Sequence, residues 1–266
     1  MDADSLKALA PVHGLVFLFK WTPDPDAPPH DPDPPPGLWF ARQVATNACA
    51  TQAILGVLLN AAGVSLGDGP AAALKDFCAG GLPPDVAGMA LAASDAIRTA
   101  HNAFTPPTPL LPDDRSKDGS GDAFHFVAYV PHSGAVWELD GLRPGPVRVA
   151  DGVEEGGWLD AVAPVLAARV ARYAASEVRF NLMAVVGDRL AAARERLAAV
   201  EAGGGDDGAV AAARDAVDAA AAARQRWQDD NARRKHNAIP FAFALLRELA
   251  GKGELGPFIE RAERPR

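Results

Sequence analysis

The segment AFHFVAYVPHSGAVWELDG, residues 123–141, constrains the fold of this chain more than any other stretch. Two runs of alternating character flank a turn signal at Pro131–Gly134, a period-two pattern that suits an antiparallel β-hairpin and not a helix. A lone hairpin is marginal in water, so the chain must supply further strands to cover it. GLVFLFKW near the start, GPVRVA after the hairpin and RFNLMAVVGD further on are rich in β-formers and meet that need.

Helices alternate with these strands. Asn47 stands where an N-cap would stand, ahead of ACATQAILGVLLNAAG with its helical apolar spacing and terminating Gly63. Residues 70–79 and 83–104 read as helical, and GGWLDAVAPVLAARVARYA reads as an amphipathic helix beginning after Gly156-Gly157. TPDPDAPPHDPDPPPG excludes helix and central strand and reads as an exposed loop. FTPPTPLLPDDRSKDGSGD is a second long loop, of a length usually reserved for function. The mixture predicts an α/β (α+β) domain over residues 1–188.

After Asp188 the composition changes. Leu190, Ala193, Leu197 and Val200 fall at a/d spacing, and Val210, Ala213, Val217, Ala220 and Trp227 repeat it beyond GGGDDG. Two helices hinged on glycine are expected, with an alanine seam that packs weakly and relies on a partner or on the main domain. A last apolar helix, IPFAFALLRELAG, follows the basic cluster Arg233-Arg234-Lys235-His236. Residues 189–266 read as a helical, partner-docking extension.

Bulk properties narrow the function classes. A net charge of −8 argues against non-specific DNA binding. Only two cysteines are present and they form no CxxC, so a reducing compartment is the simpler expectation than a disulfide framework or a zinc site. The apolar stretch Val12–Trp21, interrupted by His13 and Lys20, is too short to span a bilayer, and no membrane association is expected.

Cys49 lies in the first turn of the helix after Asn47, where unpaired N–H groups and the positive dipole end favour thiolate. The plainer alternative is a packing cysteine, and Cys78 in LKDFCAG is read that way. A hairpin with an even loop centred on His132 and Ser133 would set His125 directly opposite Asp140, with Cβ atoms about 4.5–5.5 Å apart. Alone, His125 would be an ordinary half-buried strand histidine and Asp140 a turn residue before Gly141. With Cys49 they compose nucleophile, base and orienting acid. Gln43, in the segment entering the nucleophile's helix, has an amide able to donate to a developing oxyanion alongside the backbone N–H of Cys49. The default for His30, His101, His132 and His236 is solvation or packing. A structural zinc is disfavoured, since one cysteine, one histidine and one aspartate are too few soft ligands.

QVATNACATQAILGVLLN, DAFHFVAYVP and ELDGLRPGP together closely resemble the ubiquitin carboxyl-terminal hydrolase family of papain-like cysteine proteases. PVHGLVFLFKW, RFNLMAVV and RRKHNAIPFAFALLRELA extend the likeness to the proteasome-associated branch, which carries an extra helical C-terminal domain. The resemblance implies a papain-like domain with a central antiparallel sheet flanked by helices. It implies a nucleophile at Cys49, a general base and acid at His125, an orienting carboxylate at Asp140 and an oxyanion glutamine at Gln43. It further implies an active-site crossover loop over residues 105–122, and no metal or organic cofactor. The expected reaction is hydrolysis after the last glycine of ubiquitin, on ubiquitin and its conjugates. The expected partners are a proteasomal ubiquitin-receptor subunit, bound through the C-terminal extension, and a chromatin-remodelling complex, with cytoplasmic and nuclear location and no direct nucleic-acid contact.

Two departures from the family pattern carry expectations of their own. The family's N-terminal strand and helix, with a Glu-Ser-Asp-Pro-Gly-like motif that helps bind ubiquitin, precede PVHGLVFLFKW, and with Met1 only eleven residues before Val12 that element is expected to be missing. Their loss is expected to lower stability and ubiquitin affinity, because a sheet stripped of a strand exposes unpaired backbone. The ending ERAERPR is shorter and poorer in lysine than the branch's usual tail. The competing reading from another class is a ubiquitin-binding or proteasome-associated scaffold in which the same residues persist without productive catalysis.

Overall fold

The computed structural model describes residues 3–22, 28–104, 124–154, 156–174 and 180–263. Helix α1 (Ala3–Lys7) precedes strand β1 (Val12–Lys20), and helices α2 (Cys49–Asn60), α3 (Pro70–Cys78), α4 (Pro84–Ala93) and α5 (Asp95–Asn102) follow. Strands β2 (Phe124–His132), β3 (Ala135–Leu139) and β4 (Val147–Ala150) lead to helix α6 (Trp158–Ala174) and strand β5 (Asn181–Val186). The chain continues through α7 (Arg189–Ala202), α8 (Asp207–Lys235), α9 (Ile239–Gly251) and α10 (Leu255–Glu263). This is the expected α/β fold with a helical C-terminal region.

The strands form one antiparallel sheet in the order β4-β3-β2-β1-β5. β1 is buried on both faces and therefore reads as a continuous apolar run rather than an alternating one. Leu15, Phe17 and Phe19 face a core shared with Trp158, Leu159, Val162 and Leu166 of α6. Val16 faces the opposite side, where Ala53 and Val57 of α2 pack with Ala128, Val130, Trp137 and Leu139 of the hairpin. A third cluster joins Leu55 and Leu59 of α2 to Leu74, Ala87, Leu91 and Ile97 of α3, α4 and α5.

Three local expectations change. The hairpin turn falls on Ser133 and Gly134, so His132 pairs with Ala135 and the loop is centred one residue later than expected. Both turn residues have positive φ, 49° and 71°, as a tight primed turn requires, and Gly134 takes that conformation without a Cβ clash. Asn47 does not cap α2: it adopts φ 63°, which asparagine tolerates, Ala48 occupies the N-cap, and the helix begins at Cys49 itself. The expected helix over 83–104 is two helices, because Ser94 leaves helical geometry and its hydroxyl accepts from Ile97 N at 3.4 Å, capping α5.

In the C-terminal region α7 and α8 form the expected hairpin, with Asp188 and Asp206 as N-caps and an Arg224–Asp188 ion pair. Leu190 and Ala213 are buried in the seam and Ala193, Leu197, Val200, Val210, Val217 and Ala220 are half-buried. Trp227 does not join it and is 60% exposed, because α8 outruns α7, whose N-cap already lies opposite Arg224. Helix α10, after the glycine at 253, had no sequence-based expectation.

Gly134→Ala should lower stability by about 1–2 kcal/mol, the cost of a left-handed residue with a Cβ, whereas Ser133→Gly should leave the denaturation midpoint no lower. Urea unfolding of the two variants measures the difference.

Candidate active site

Cys49 is the first residue of α2, so its thiol lies at the end of the helix where backbone N–H groups have no intrahelical partner. It is half-buried and meets His125 of β2. Burial alone would push this thiol up. The hydrogen bond with His125, the backbone N–H groups of Phe126 and Ala50 and the imidazolium charge outweigh burial and hold it below the ordinary thiol value.

His125 is 4% exposed. Its Nε2 lies 2.7 Å from Asp140 Oδ1, which leaves Nδ1 for the thiol. Phe19, its cross-strand partner on β1, packs against the imidazole at 81° with ring centroids 5.9 Å apart. Burial would depress this imidazole, but the hydrogen bonds to Asp140 and then Cys49, with both negative charges, push it up to about 9. Asp140 is also buried. Burial would raise its pKa, and the hydrogen bond and charge of His125, the N–H of Leu142 at 2.9 Å and the Arg143 guanidinium at 3.7 Å together lower it. The three groups favour one another's charged forms: thiolate, imidazolium and carboxylate.

The register that brings His125 to Asp140 is not the expected one. Tyr129 opposes Glu138 and the ladder stops at Leu139, so the pair meets diagonally beyond the end of the ladder. The slip from the expected register moves every partner by two positions, and two positions preserve the face of the sheet. A diagonal pair lies about 7–8 Å apart at Cα, within reach of a histidine and an aspartate.

Gln43 enters through its backbone: its N–H donates to Gly141 O at 2.8 Å, which places it beside the Asp140 turn. Its side-chain Nε2 donates to Ala45 O at 3.0 Å, leaving a second N–H on the same nitrogen. Its Oε1 is buried without a hydrogen-bond partner among the described residues. Residues 105–122, the expected crossover loop, lie outside the described residues. Cys78 packs at the margin of the α3–α5 cluster. His101 is engaged by Thr51 Oγ1 at 2.8 Å and His132 by Pro36 O at 3.2 Å.

Phe19 and Arg143 belong to this site and were not anticipated. Arg143 has a legible signal, three residues past Asp140 in a turn closed by its own N–H on Asp140 O. Phe19 has none, because its contact with His125 depends on how β1 and β2 pair.

A helix-borne thiol facing a buried His–Asp pair on an antiparallel sheet defines a cysteine-type hydrolase. The profile of ubiquitin carboxyl-terminal hydrolase, family 1, matches residues 1–171, and a second ubiquitin carboxyl-terminal hydrolase profile matches residues 219–255. The chain is 34% identical to ubiquitin carboxyl-terminal hydrolase isozyme L5 of Dictyostelium discoideum, covering 99% of this chain and 86% of that one. It is 35% identical to ubiquitin carboxyl-terminal hydrolase ubh-4 of Caenorhabditis elegans, covering 97% and 81%. The crystal structure of Trichinella spiralis UCH37 bound to ubiquitin vinyl methyl ester superposes with a TM-score of 0.65 at 31% identity, covering 85% of this chain and 87% of that one. The chain belongs to the ubiquitin carboxyl-terminal hydrolase family, and it is a cysteine-type deubiquitinase of mixed α/β fold.

The shifted pKa values predict the pH behaviour. Alkylation of Cys49 by iodoacetamide should keep its acid limb below the ordinary thiol range, and Asp140→Asn should move that limb upward by weakening the imidazolium. Because the folded pKa of His125 is raised, its contribution to stability is fully present below the unfolded value of about 6.5 and is lost as pH rises through about 9. Alkylation rates and urea midpoints measured from acid to alkaline pH check both statements.

Proposed function

We propose that Cys49, His125, Asp140 and Gln43 carry the hydrolysis of amide and isopeptide bonds after the C-terminal glycine of ubiquitin. The observation that carries this reading is Cys49 at the first position of α2, hydrogen-bonded to a buried His125 that is itself held at 2.7 Å by Asp140. The thiolate attacks the glycine carbonyl, and His125 gives its proton to the departing amine. Gln43 and the Cys49 N–H stabilise the oxyanion, and water activated by His125 then releases the acyl-enzyme. Asp140 keeps the imidazole oriented throughout. The site binds ubiquitin and its conjugates, as the Trichinella relative's complex with a ubiquitin vinyl ester supports.

Residues 1–188 form the catalytic domain in this reading and residues 189–266 a regulatory extension that docks on a proteasomal ubiquitin-receptor subunit. The chain then works in the cytoplasm and nucleus, where a chromatin-remodelling complex is its second partner. The exposure of α9 supports docking: Phe241 is 68% and Leu245 and Leu246 are each 43% exposed, and no residue of that helix is buried. Such an apolar stripe on a solvent-facing helix is a feature of interaction surfaces.

A ubiquitin propargyl or vinyl-ester probe tests the catalytic reading, with labelling expected at Cys49. Cys49→Ala should abolish hydrolysis of a ubiquitin C-terminal amide with the fold intact, and Cys78→Ala should change little. Activity surviving in the first variant and lost in the second would overturn the assignment. Gln43→Ala should lower the saturated rate roughly a hundredfold, as loss of one oxyanion donor does, while ubiquitin binding survives. Replacing Phe241 and Leu245 together by aspartate should abolish pull-down of the receptor subunit and leave probe labelling of Cys49 intact. Reduced thermal stability with undiminished subunit binding would instead show that the stripe packs within the chain.

A further inference from the structure

We propose that Gln52 is a positioning residue that sets the oxyanion strand against the nucleophile's helix, acting through Gln43; this rests on the proposed role of Gln43. Gln52 follows Cys49 by three positions on α2, so it projects near the same helix face one turn deeper. It is 8% exposed, unusual burial for a glutamine, and its Nε2 donates a hydrogen bond to Ala41 O.

Ala41 begins the short segment that ends at Gln43, and each residue of that segment is tied to a different element. Ala41 O is held by Gln52 of α2, Arg42 N by Pro84 O at the start of α4, and Gln43 N by Gly141 O beside Asp140. The first and third ties meet each other. A Cβ at Gly141 would lie 2.3 Å from Gln52 Nε2 and 2.8 Å from its Cδ, so the amide of Gln52 fills the space that a side chain at 141 would need. One buried amide thus spans the helix of the thiol, the backbone leading to Gln43 and the turn that carries the orienting carboxylate.

The chemical consequence is specific to the oxyanion. The Cys49–His125–Asp140 line has its own hydrogen bonds and none of them passes through Gln52. Loss of the Gln52 amide releases Ala41 O and loosens the Gly141 contact, and the amide of Gln43 loses its fixed distance from the thiol while thiolate formation continues. A group displaced from its transition-state position lowers kcat and leaves ground-state binding in place.

Gln52→Met keeps the volume and removes the donor. With a fluorogenic ubiquitin C-terminal amide, its kcat should fall by about tenfold or more, the scale of a misplaced catalytic group, with KM unchanged and iodoacetamide alkylation of Cys49 at the parental rate. Gly141→Ala, which displaces the same amide from the other side, should reproduce that pattern and covers the case in which Gln52→Met folds poorly. In a Gln43→Ala background, Gln52→Met should cause no further loss of kcat, because it acts only through Gln43. An unchanged kcat in both single variants, a parallel fall in Cys49 alkylation, or losses that multiply in the double variant would each overturn the positioning role. If Gln43→Ala alone leaves kcat unchanged, the oxyanion reading falls and the positioning role falls with it, an outcome distinct from the other three.

Discussion

The burial of β1 on both faces is the constraint on which the site depends. Leu15 and Phe17 have no exposed surface and Val16 only 2%, so α6 is drawn to one side of the sheet and α2 to the other. Apolar area removed from water is worth about 25 cal/mol per Å², and a strand covered on both faces collects that term twice. Because α2 packs on β1 and β2 through Ala53 and Val57, its first residue has one place to go, at the end of β2 where His125 stands. The thiol meets the imidazole as a result of core packing several residues deeper in the helix. The same strand supplies Phe19, which closes the other side of the imidazole.

That placement puts three ionisable groups where water is scarce, and each would resist its charge alone. Burial opposes the thiolate, the imidazolium and the carboxylate alike, and in each case the partners reverse or limit its effect. Removal of one member of a buried, hydrogen-bonded pair typically costs about 3–5 kcal/mol, since the survivor is left charged and unpaired. The backbone shares in the compensation: the N–H of Leu142 serves Asp140, and those of Phe126 and Ala50 serve Cys49. The network of Tyr129 on β2, Glu138 on β3 and Arg169 on α6 follows the same rule, with every member hydrogen-bonded to another and Arg169 lying 4.6 Å from the Phe19 ring centroid. Its guanidinium connects that network to the aromatic wall behind His125.

The C-terminal helices obey different physics. α7 and α8 are joined by a narrow seam in which only Leu190 and Ala213 are buried, and capping aspartates with exposed ion pairs add to it. Alanine seams remove little apolar area from water, and exposed ion pairs contribute about 0–1 kcal/mol each. α9 carries Phe241, Phe243, Leu245 and Leu246 outward. A region built in this way has surface to offer and little internal core to lose.

Much of this was legible in the sequence because it rests on local periodicity and residue type. Alternation in 123–141 marked the hairpin, the β-formers of GLVFLFKW marked a strand without showing that both its faces are covered, and the a/d pattern with its glycine break marked the C-terminal hairpin. The residues at the candidate site were visible as well, a cysteine at a helix start and a histidine and aspartate on one hairpin face. Their meeting did not require the correct turn, since a slip of two positions preserves the face that each side chain takes. The remainder was decided by tertiary structure. Whether His132 or Gly134 joins Ser133 in the turn depends on which residues accept positive φ within a packed sheet, and the break at Ser94 depends on the hydroxyl outcompeting one more turn of helix. Phe19 against His125, and Gln52 wedged between Ala41 and Gly141, join residues far apart in the chain. A linear sequence carries the propensities of such residues but not their distances, which arise only when the two faces of β1 are covered and the backbone has no other way to close.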